Sequence, residues 1–279
     1  MHRVEHVMGF PVSLRIDDDL PHQAVERTGD DVFAWLREVD ERFSPFKSRS
    51  EVSRHGRGEL APHELSTDLV EVLDLCEHYR LATGGAFDVR LPGRGLDPCA
   101  VVKGWSVQRA AQMLRAAGVR RFCLNAGGDV VASGGPWRVG VRHPEHADKL
   151  CAALELTDGA VATSARYERG DHIIDGRTGR PATGLLSMTV VAATLTEADS
   201  VATAAFAMGP EGIEWAASLA GCEVFAVDAG GRVLRTDGFP LLAESAAVRP
   251  PTEAEGRTAA GGGQTRSAAI STYWKEPSL

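Results

Sequence analysis

The sequence predicts an α+β protein in which mainly antiparallel sheets carry packed helices. Segments with helical and strand-like periodicity follow one another without strict alternation, and several strand-like pairs lie close together in the chain. The chain also has no G-x-G-x-x-G segment that opens a βαβ unit and no G-x-x-x-x-G-K-[ST] segment. A doubly wound dinucleotide-binding fold and a P-loop are therefore not expected.

Length, charge and cysteine content exclude several classes of protein. The 279 residues suffice for one large domain or two small ones with a substantial core. The formal net charge of −8 disfavours nonspecific nucleic-acid binding, so we expect no nucleic-acid partner. The five cysteines form no CxxC pair and mostly lie in apolar runs, which indicates reduced core thiols rather than a zinc site or a disulfide framework.

The two ends of the chain lack the signals of a membrane protein and differ in composition. The first residues contain no basic segment followed by an apolar one, and no apolar run reaches the roughly 18 residues of a membrane span. We therefore expect a cytoplasmic protein without a transmembrane segment. Residues 250–279 are rich in Pro, Gly, Ala, Ser and Thr, which predicts a disordered tail over residues 246–279 behind one domain over residues 1–245.

The first third of the chain combines a strand pattern with two helical patterns. Met8 and Gly9 fall inside the predicted strand, and Ser66 is a typical N-cap residue for the second helix. The apolar residues of the first helix recur on one face. The predicted elements are a strand over residues 7–16, a helix over residues 24–43, a helix over residues 66–81 and a glycine-rich turn over residues 83–88.

The stretch over residues 96–133 organises the rest of the prediction. Asp97-Pro98 favours a turn, and helical spacing then runs from residue 101 to Gly118, a typical left-handed C-cap. The first N–H groups of a helix bind anions, and Lys103 lies near that end, so the segment suits a phosphate-bearing ligand. The alternative is a capped surface helix with an exposed lysine. A short strand over residues 122–124 and a glycine-rich segment follow.

The second half predicts strands around a long polar segment. Residues 163–184 are too polar for a core and too irregular for one element, and loops of this kind tend to carry function. The predicted strands cover residues 137–141, 151–156, 160–163, 185–193, 223–227 and 233–235, and the predicted helices cover residues 197–208 and 212–219.

Asp199 and Thr203 lie four residues apart on one face of a predicted helix. A carboxylate and a hydroxyl make a poor zinc site, but they suit Mg²⁺, which takes few protein oxygens and completes its shell with water and phosphate. The alternative is a pair of ordinary helix residues, with the aspartate favoured by the helix dipole.

Other polar residues have both functional and structural interpretations. An imidazole can act as a general base near neutral pH, so His172 is a candidate for that role, or it is an ordinary solvated or hydrogen-bonded histidine. Asp88, Asp129 and Asp175 each accompany a glycine-bearing turn, where a turn-forming role is favoured. Ser164 lacks a G-x-S-x-G context, so it is not a hydrolase nucleophile, although its hydroxyl can meet a phosphate.

Eight segments, taken together and in order, resemble the FAD:protein FMN transferase (ApbE-type) family. Each segment alone is a weak signal, but the occurrence of all eight in the same order makes the resemblance specific. The resemblance covers roughly residues 7–240 and leaves out the tail. The segments are Met8-Gly9, SRSEVSR at 48–54, GGAFDV at 84–89, DPCAVVKGW at 97–105, NAGGDV at 125–130, ATS at 162–164, HIIDGRTGRP at 172–181 and ADSVATAAFAMG at 198–209.

The resemblance implies a fold, a reaction and a set of site residues. Members of the family have an α+β fold similar to the tunnelling-fold architecture. They cleave FAD with Mg²⁺, attach FMN through a phosphoester to a Thr or Ser of a target flavoprotein, and release AMP. The resemblance thus implies FAD as substrate, Mg²⁺ as cofactor, a target flavoprotein as partner and His172 as the catalytic residue. The implied metal contacts are Asp199, Thr203 and the backbone carbonyls of Ala100 and Ala202, and the implied FAD contacts are Met8, Phe46, Ala86, Phe87, Asp88, Asp97, Lys103 and Ile174.

Two departures from the family pattern keep alternatives open. Gly176 stands where the family usually has Pro, which predicts a looser turn, and Phe46 stands where Tyr is common, which removes one hydroxyl. The first alternative is a Mg²⁺-dependent FAD pyrophosphatase, in which water replaces the acceptor hydroxyl. The second is a catalytically silent FAD-binding module.

Overall fold

The computed structural model describes residues 1–91, 93, 95–170, 172–242 and 272–273. The predicted disordered tail lies outside the described residues, apart from Thr272–Tyr273. Its helices are α1 (His22–Phe43), α2 (Glu51–Gly56), α3 (Thr67–Ala82), α4 (Cys99–Ala116), α5 (Arg166–Arg169), α6 (Leu195–Met208) and α7 (Pro210–Ser218), with a short 3₁₀ turn at Pro62–Glu64. Its strands are β1 (His2–Val7), β2 (Phe10–Ile16), β3 (Arg90–Leu91), β4 (Gly95–Leu96), β5 (Phe122–Ala126), β6 (Asp129–Ser133), β7 (Trp137–Arg142), β8 (Leu150–Leu156), β9 (Gly159–Ala165), β10 (Ile174–Asp175), β11 (Arg180–Pro181), β12 (Leu185–Ala192), β13 (Glu223–Asp228), β14 (Val233–Arg235) and β15 (Thr272–Tyr273).

One large antiparallel sheet is the frame of the molecule. Its eight strands lie in the order β1-β2-β5-β6-β9-β12-β13-β14. The β7–β8 hairpin forms a second small sheet, and β15 pairs with the free edge of β7. The predicted α+β class with mainly antiparallel pairing is confirmed. Among the described residues, no helix is long and apolar enough to cross a membrane.

Both faces of the large sheet are covered, and each has its own core. Successive side chains of a strand point to opposite faces. On β5, accordingly, Leu124 packs with the helices α1, α3, α4 and α6, whereas Cys123 packs with the β7–β8 hairpin. The helix side is the larger core and also borders the candidate functional site described below.

The helix boundaries follow from local signals in the sequence. Ser66 accepts a hydrogen bond from the N–H of Leu69 at 3.2 Å, which confirms the predicted N-cap of α3. At the end of α4, Gly118 has a φ of +85°, as predicted for a left-handed C-cap. At its start, Asp97 Oδ1 accepts the N–H of Cys99 at 3.1 Å. Asp97 therefore satisfies one N–H of the first turn of α4, whose N-cap residue is Pro98.

The predicted single strand over residues 7–16 is wrong, because the chain reverses inside it. Met8 and Gly9 have φ of +57° and +84° and form a two-residue turn between β1 and β2. A methionine is rarely found at positive φ, so Met8 hides the turn that Gly9 alone indicates only weakly. The glycines of NAGGDV reverse the chain in the same way between β5 and β6.

The close contact between α4 and α6 depends on Gly104. A Cβ atom at this position would lie 2.5 Å from the carbonyl oxygen of Leu195 and 2.7 Å from Cβ of Asp199. Both distances are far below van der Waals contact, and a backbone carbonyl cannot move aside as a flexible side chain can. The glycine therefore sets how near the two helices approach each other.

We predict that Gly104→Ala destabilises the protein, although alanine is the better helix former. The added methyl group must push α4 and α6 apart, and overpacking of this kind costs about 3 kcal/mol of unfolding free energy. Urea denaturation monitored by circular dichroism measures the loss of unfolding free energy.

Gly29→Ala is the matched control, since Gly29 is also a buried helical glycine. Its added Cβ would meet only flexible side-chain ends, those of Met1 at 3.0 Å and of Arg3 at 3.8 Å. This variant should be as stable as the parent or up to about 1 kcal/mol more stable. Equal effects of the two substitutions would contradict the account of the α4–α6 contact.

Candidate active site

A cleft of about 560 Å³ opens on the helix side of the large sheet. The end of α1, the segment between α3 and α4, the first turns of α4, the inner face of α6 and the segment before β10 form its walls. Predicted site residues that line the cleft are Met8, Phe46, Phe87, Asp88, Asp97, Ala100, Lys103, His172, Ile174, Asp199 and Thr203. Residues far apart in the sequence are thus brought to one surface.

Two predicted site residues do not line this cleft. Ala86 and Ala202 are fully buried. Ala86 contributes its carbonyl to a hydrogen bond with Gly176, and Ala202 lies beside Thr203 within α6. Their contacts with a ligand or metal remain predictions.

At the inner end of the cleft, Lys103 lies between two buried carboxylates. Its ammonium is 2.5 Å from Asp129 Oδ2 and 3.3 Å from Asp199 Oδ1. The lysine side chain is only 21% exposed, which rules out the interpretation as a surface lysine. The contact with Asp129 is close but poorly angled, since this buried oxygen has no hydrogen bond of acceptable geometry among the described residues.

Backbone groups fix both carboxylates. Asp129 Oδ1 accepts the N–H of Thr163 at 3.0 Å, and Asp199 Oδ2 accepts the N–H of Gly104 at 2.8 Å. In a regular helix the N–H of Gly104 would face the carbonyl of Ala100. It also donates to Asp199, and Ala100 and Asp199 both line the cleft.

Burial shifts the ionisation of Asp199. The loss of solvent around this carboxyl is the largest effect and raises its pKa; Lys103 opposes the rise and the negative charge of Asp129 adds to it, and the net result is a pKa of about 7. Two carboxylates share one ammonium, so the group carries a net negative charge when both are ionised. A second cation at this place would relieve the excess charge.

Hydroxyl groups extend the polar site along β9 and α6. Ser164 Oγ and Thr203 Oγ1 lie 3.0 Å apart, and both residues line the cleft. Thr203 is one helical turn after Asp199, so the two predicted metal ligands share a face of α6 as expected.

The glycine-rich turn after α3 is joined to the HIIDGRTGRP segment. The N–H of Gly176 donates to the carbonyl of Ala86 at 2.8 Å, and a Cβ at position 176 would lie 2.4 Å from the carbonyl oxygen of Gly85. A proline offers neither the N–H nor the space. Instead of loosening the turn, Gly176 connects the two loops that bring Asp88 and Ile174 to the cleft.

His172 lies on the solvent side of the cleft and is exposed. Its Nδ1 is 3.1 Å from the carbonyl oxygen of Gly170. Because a carbonyl can only accept, Nδ1 carries the proton, and the basic nitrogen of the neutral ring is Nε2. Phe46, at the mouth of the cleft, is 83% exposed.

The described residues contain no group of three or more His, Cys, Asp or Glu side chains that could hold a metal ion by itself. A cation here would depend on fewer protein oxygens, from Asp199, Thr203 and the carbonyl of Ala100. Magnesium is the ion that such a hard and incomplete oxygen set fits, because it keeps water or phosphate in the remaining positions.

A sequence model of the ApbE family matches residues 8–93 and 89–226 of the chain, which is well over half of its length. The chain belongs to the ApbE family. The predicted resemblance to this family is confirmed.

Several proteins similar to this ApbE-family chain are named FAD:protein FMN transferase. The protein from Klebsiella pneumoniae (strain 342) named FAD:protein FMN transferase is 28% identical over 161 residues, which are 52% of this chain and 46% of the relative. A protein of the same name from Haemophilus influenzae is 23% identical, with 85% of this chain and 87% of the relative covered. The chain spans about half the length of the first named relatives that it matches.

Solved ApbE structures share the fold. The ApbE protein from Thermotoga maritima superposes with a TM-score of 0.74 at 22% identity, over 85% of this chain and 97% of the other. The flavin transferase ApbE from Vibrio cholerae superposes with a TM-score of 0.69 at 21% identity, over 85% and 96% of the two chains.

Sequence reasoning missed Asp129 as part of the site. Taken alone, an aspartate after two glycines is typical of a turn. Its context carried a further signal, because the four residues after it, VVAS, are buried with it in β6. A carboxylate that opens a fully buried strand needs a partner inside the protein, and that partner is Lys103.

We predict that Asp199→Asn stabilises the protein when divalent cations are chelated. A carboxyl whose pKa is raised on folding holds its proton more tightly in the native state. The parent therefore loses stability as the pH rises from about 4 towards 7, at up to about 1.4 kcal/mol per pH unit. Urea denaturation at pH 5, 6 and 7 should show the advantage of the variant growing with pH.

Asp74→Asn is the control, since this aspartate of α3 is exposed. Its stability relative to the parent should not change over the same pH range. An Asp199→Asn variant whose stability difference is independent of pH would contradict the assignment of a raised pKa to Asp199.

Proposed function

We propose that this chain transfers FMN from FAD to a Thr or Ser hydroxyl of a target flavoprotein, with Mg²⁺ as cofactor and release of AMP. The observation that carries the proposal is the buried arrangement of Lys103, Asp129 and Asp199 beside Thr203 at the inner end of the cleft. It offers one fixed cation and a set of hard oxygens where a pyrophosphate would have to bind. The name shared by the relatives supports the same reaction.

The charge of the cleft supports a requirement for a divalent cation. The described lining contains the aspartates Asp40, Asp88, Asp97 and Asp199 and the lysine Lys103. The pyrophosphate of FAD is itself an anion, so binding in such a cleft is unfavourable without added positive charge. Asp199, Thr203 and the carbonyl of Ala100 would hold Mg²⁺ there. When bound, the ion supplies charge neutralisation for the pyrophosphate and for the departing AMP.

The remaining predicted FAD contacts fall into an apolar group and a polar group. Met8, Phe87 and Ile174 present apolar atoms along the cleft, which suits the flat isoalloxazine ring. Asp88 and Asp97 present hydrogen-bond acceptors for polar edges of the nucleotide. Lys103 lies near enough to the inner end to contact phosphate oxygen, and Phe46 is placed to cover the ring at the mouth.

The transfer needs a proton acceptor and good alignment. The hydroxyl oxygen of the target attacks the FMN-side phosphorus, the phosphorus–oxygen bond of the anhydride breaks, and AMP leaves with the bridging oxygen. We assign the hydroxyl proton to Nε2 of His172, the basic nitrogen of the ring. Positioning by the cleft contributes more to such a phosphoryl transfer than covalent chemistry by the protein.

We predict that Asp199→Ala abolishes Mg²⁺-dependent FAD turnover while circular dichroism still shows the folded protein. The reaction contains FAD, Mg²⁺ and a target domain with an acceptor Thr, and flavin retained on the denatured target is measured by fluorescence and mass spectrometry. Asp74→Ala is the control and should retain the parent rate, because Asp74 is an exposed residue of α3.

The same assay separates the alternatives. Free FMN and AMP formed without a target would identify a pyrophosphatase, and tight FAD binding without AMP release would identify a silent binding module. Parent-like flavin transfer by Asp199→Ala would remove the proposed metal site.

We predict that His172→Ala lowers the transfer rate by about 10² to 10⁴, the contribution of a general base, while the dissociation constant of FAD changes little. Single-turnover transfer and FAD fluorescence quenching measure the two quantities separately. A parent-like rate would dismiss His172 as the base. An equal loss of rate and FAD affinity would instead indicate a binding role.

A further inference from the structure

A second cavity, of about 290 Å³, lies on the face of the large sheet opposite the candidate active site. Its floor is formed by residues of β2 and β5 that alternate with the helix-side core, among them Ser13 and Arg15 on β2 and Asn125 on β5. Trp137 at the start of β7 and Arg121 just before β5 complete the walls. The proposed function uses none of these residues.

Two arginines of this cavity are held against one indole ring. The guanidinium carbons of Arg15 and Arg121 lie 5.5 and 5.4 Å from the centre of the Trp137 ring. These distances are within the range of cation–π contacts. Trp137 is 8% exposed, so little of its ring is left for a ligand to stack on. The polar edges of the guanidinium groups are the accessible part.

The protein fixes both arginines but does not use all of their donors. Arg15 Nε donates to Asp17 Oδ1 at 2.8 Å, and Arg121 donates through one terminal nitrogen to the carbonyls of Gly134 and Gly135, at 3.0 and 3.2 Å. The backbone N–H of Arg121 is held by Asp18 at 2.7 Å. Each guanidinium has five N–H donors, so further donors remain on each beyond these bonds.

The charge of the cavity is opposite to that of the whole chain. Among the described residues, its lining includes the arginines Arg15, Arg121 and Arg138 and one carboxylate, Asp17. Asp17 pairs with Arg15 at 2.8 Å and with Arg121 at 3.9 Å, so one negative charge faces three positive ones. The side chains of Arg15 and Arg121 remain 43% and 41% exposed despite their contacts. The chain as a whole has a net charge of −8 and therefore repels anions. The fixed guanidinium groups make this cavity a place where an anion is bound in preference to the rest of the surface.

We propose that this cavity is a second ligand site, which binds the oxyanion group of a small molecule, a phosphate or a carboxylate, on Arg15 and Arg121. The planar guanidinium matches the geometry of both groups and can bind them through paired hydrogen bonds. Since both side chains are already ordered by Trp137, Asp17 and the two glycine carbonyls, little further ordering is needed on binding.

The experiment uses the full chain labelled with 5-fluorotryptophan and observed by ¹⁹F NMR. The chain has five tryptophans, and Trp137→Phe identifies the Trp137 signal. Inorganic phosphate is added at constant ionic strength. The Trp137 signal should shift and saturate in the millimolar range, because the arginines that lie on its ring rearrange when the anion binds. The described lining of the active-site cleft contains no tryptophan, so phosphate bound there should leave the Trp137 signal in place.

Arg121→Gln should weaken the phosphate affinity about tenfold or more, since it removes one charged donor group. Arg15→Lys is the second variant, because it keeps the charge but removes the planar fork, and it should also weaken binding while the dispersion of the other signals shows an intact fold. Arg57→Gln is the matched control, an exposed arginine paired with Glu59 away from the cavity, and it should bind phosphate as the parent does.

The titration is repeated with acetate and with a phosphate monoester, AMP. A tighter response to phosphate and AMP identifies a phosphate group as the ligand, and a tighter response to acetate identifies a carboxylate. A Trp137 signal that does not move, that drifts without saturation, or that responds equally in Arg121→Gln would overturn the proposal.

Discussion

The contact between α4 and α6 at Gly104 is the constraint on which the rest of the site depends. Without a side chain at this position, the backbone of α4 comes close enough to donate an N–H to Asp199. That hydrogen bond buries a carboxylate inside a helix pair, one turn before Thr203 and beside Lys103. The geometry of the candidate metal ligands therefore follows from a packing distance between two helices.

The burial of two carboxylates around one ammonium group destabilises the folded protein. Asp129 and Asp199 are both buried, and a single ammonium faces the two carboxylates. An apolar pair in their place would avoid the desolvation that raises the pKa of Asp199. Groups of this kind are typical of functional sites, where a ligand supplies the missing charge. We interpret the excess negative charge as the physical basis for cation binding.

The sequence predicted the helices and most strands well, because their apolar periodicity and caps are local signals. It failed at Met8-Gly9, since the first turn residue is a methionine at positive φ, a conformation that this residue type rarely adopts. It also treated Asp129 as a turn residue, because the partner that gives this carboxylate its role lies 26 residues earlier, on another element. Long-range pairs of this kind became visible only through the family resemblance or the structure.

The two departures from the family pattern have different consequences. Gly176 is required by its neighbours, as it packs on the backbone of the glycine-rich turn and donates a hydrogen bond to it. Phe46 is an exposed residue at the mouth of the cleft, where the loss of a hydroxyl disturbs no contact within the protein. Neither change removes a group from the inner end of the cleft.

The central claim is that Asp199 and Thr203 on α6 share a divalent cation with a bound dinucleotide. The most direct measurement is a crystal structure with FAD and Mn²⁺ in place of Mg²⁺, with the ion located by its anomalous scattering. We expect an anomalous peak about 2 Å from oxygens of Asp199, Thr203 and the FAD pyrophosphate. A peak elsewhere, or FAD bound outside this cleft, would contradict it.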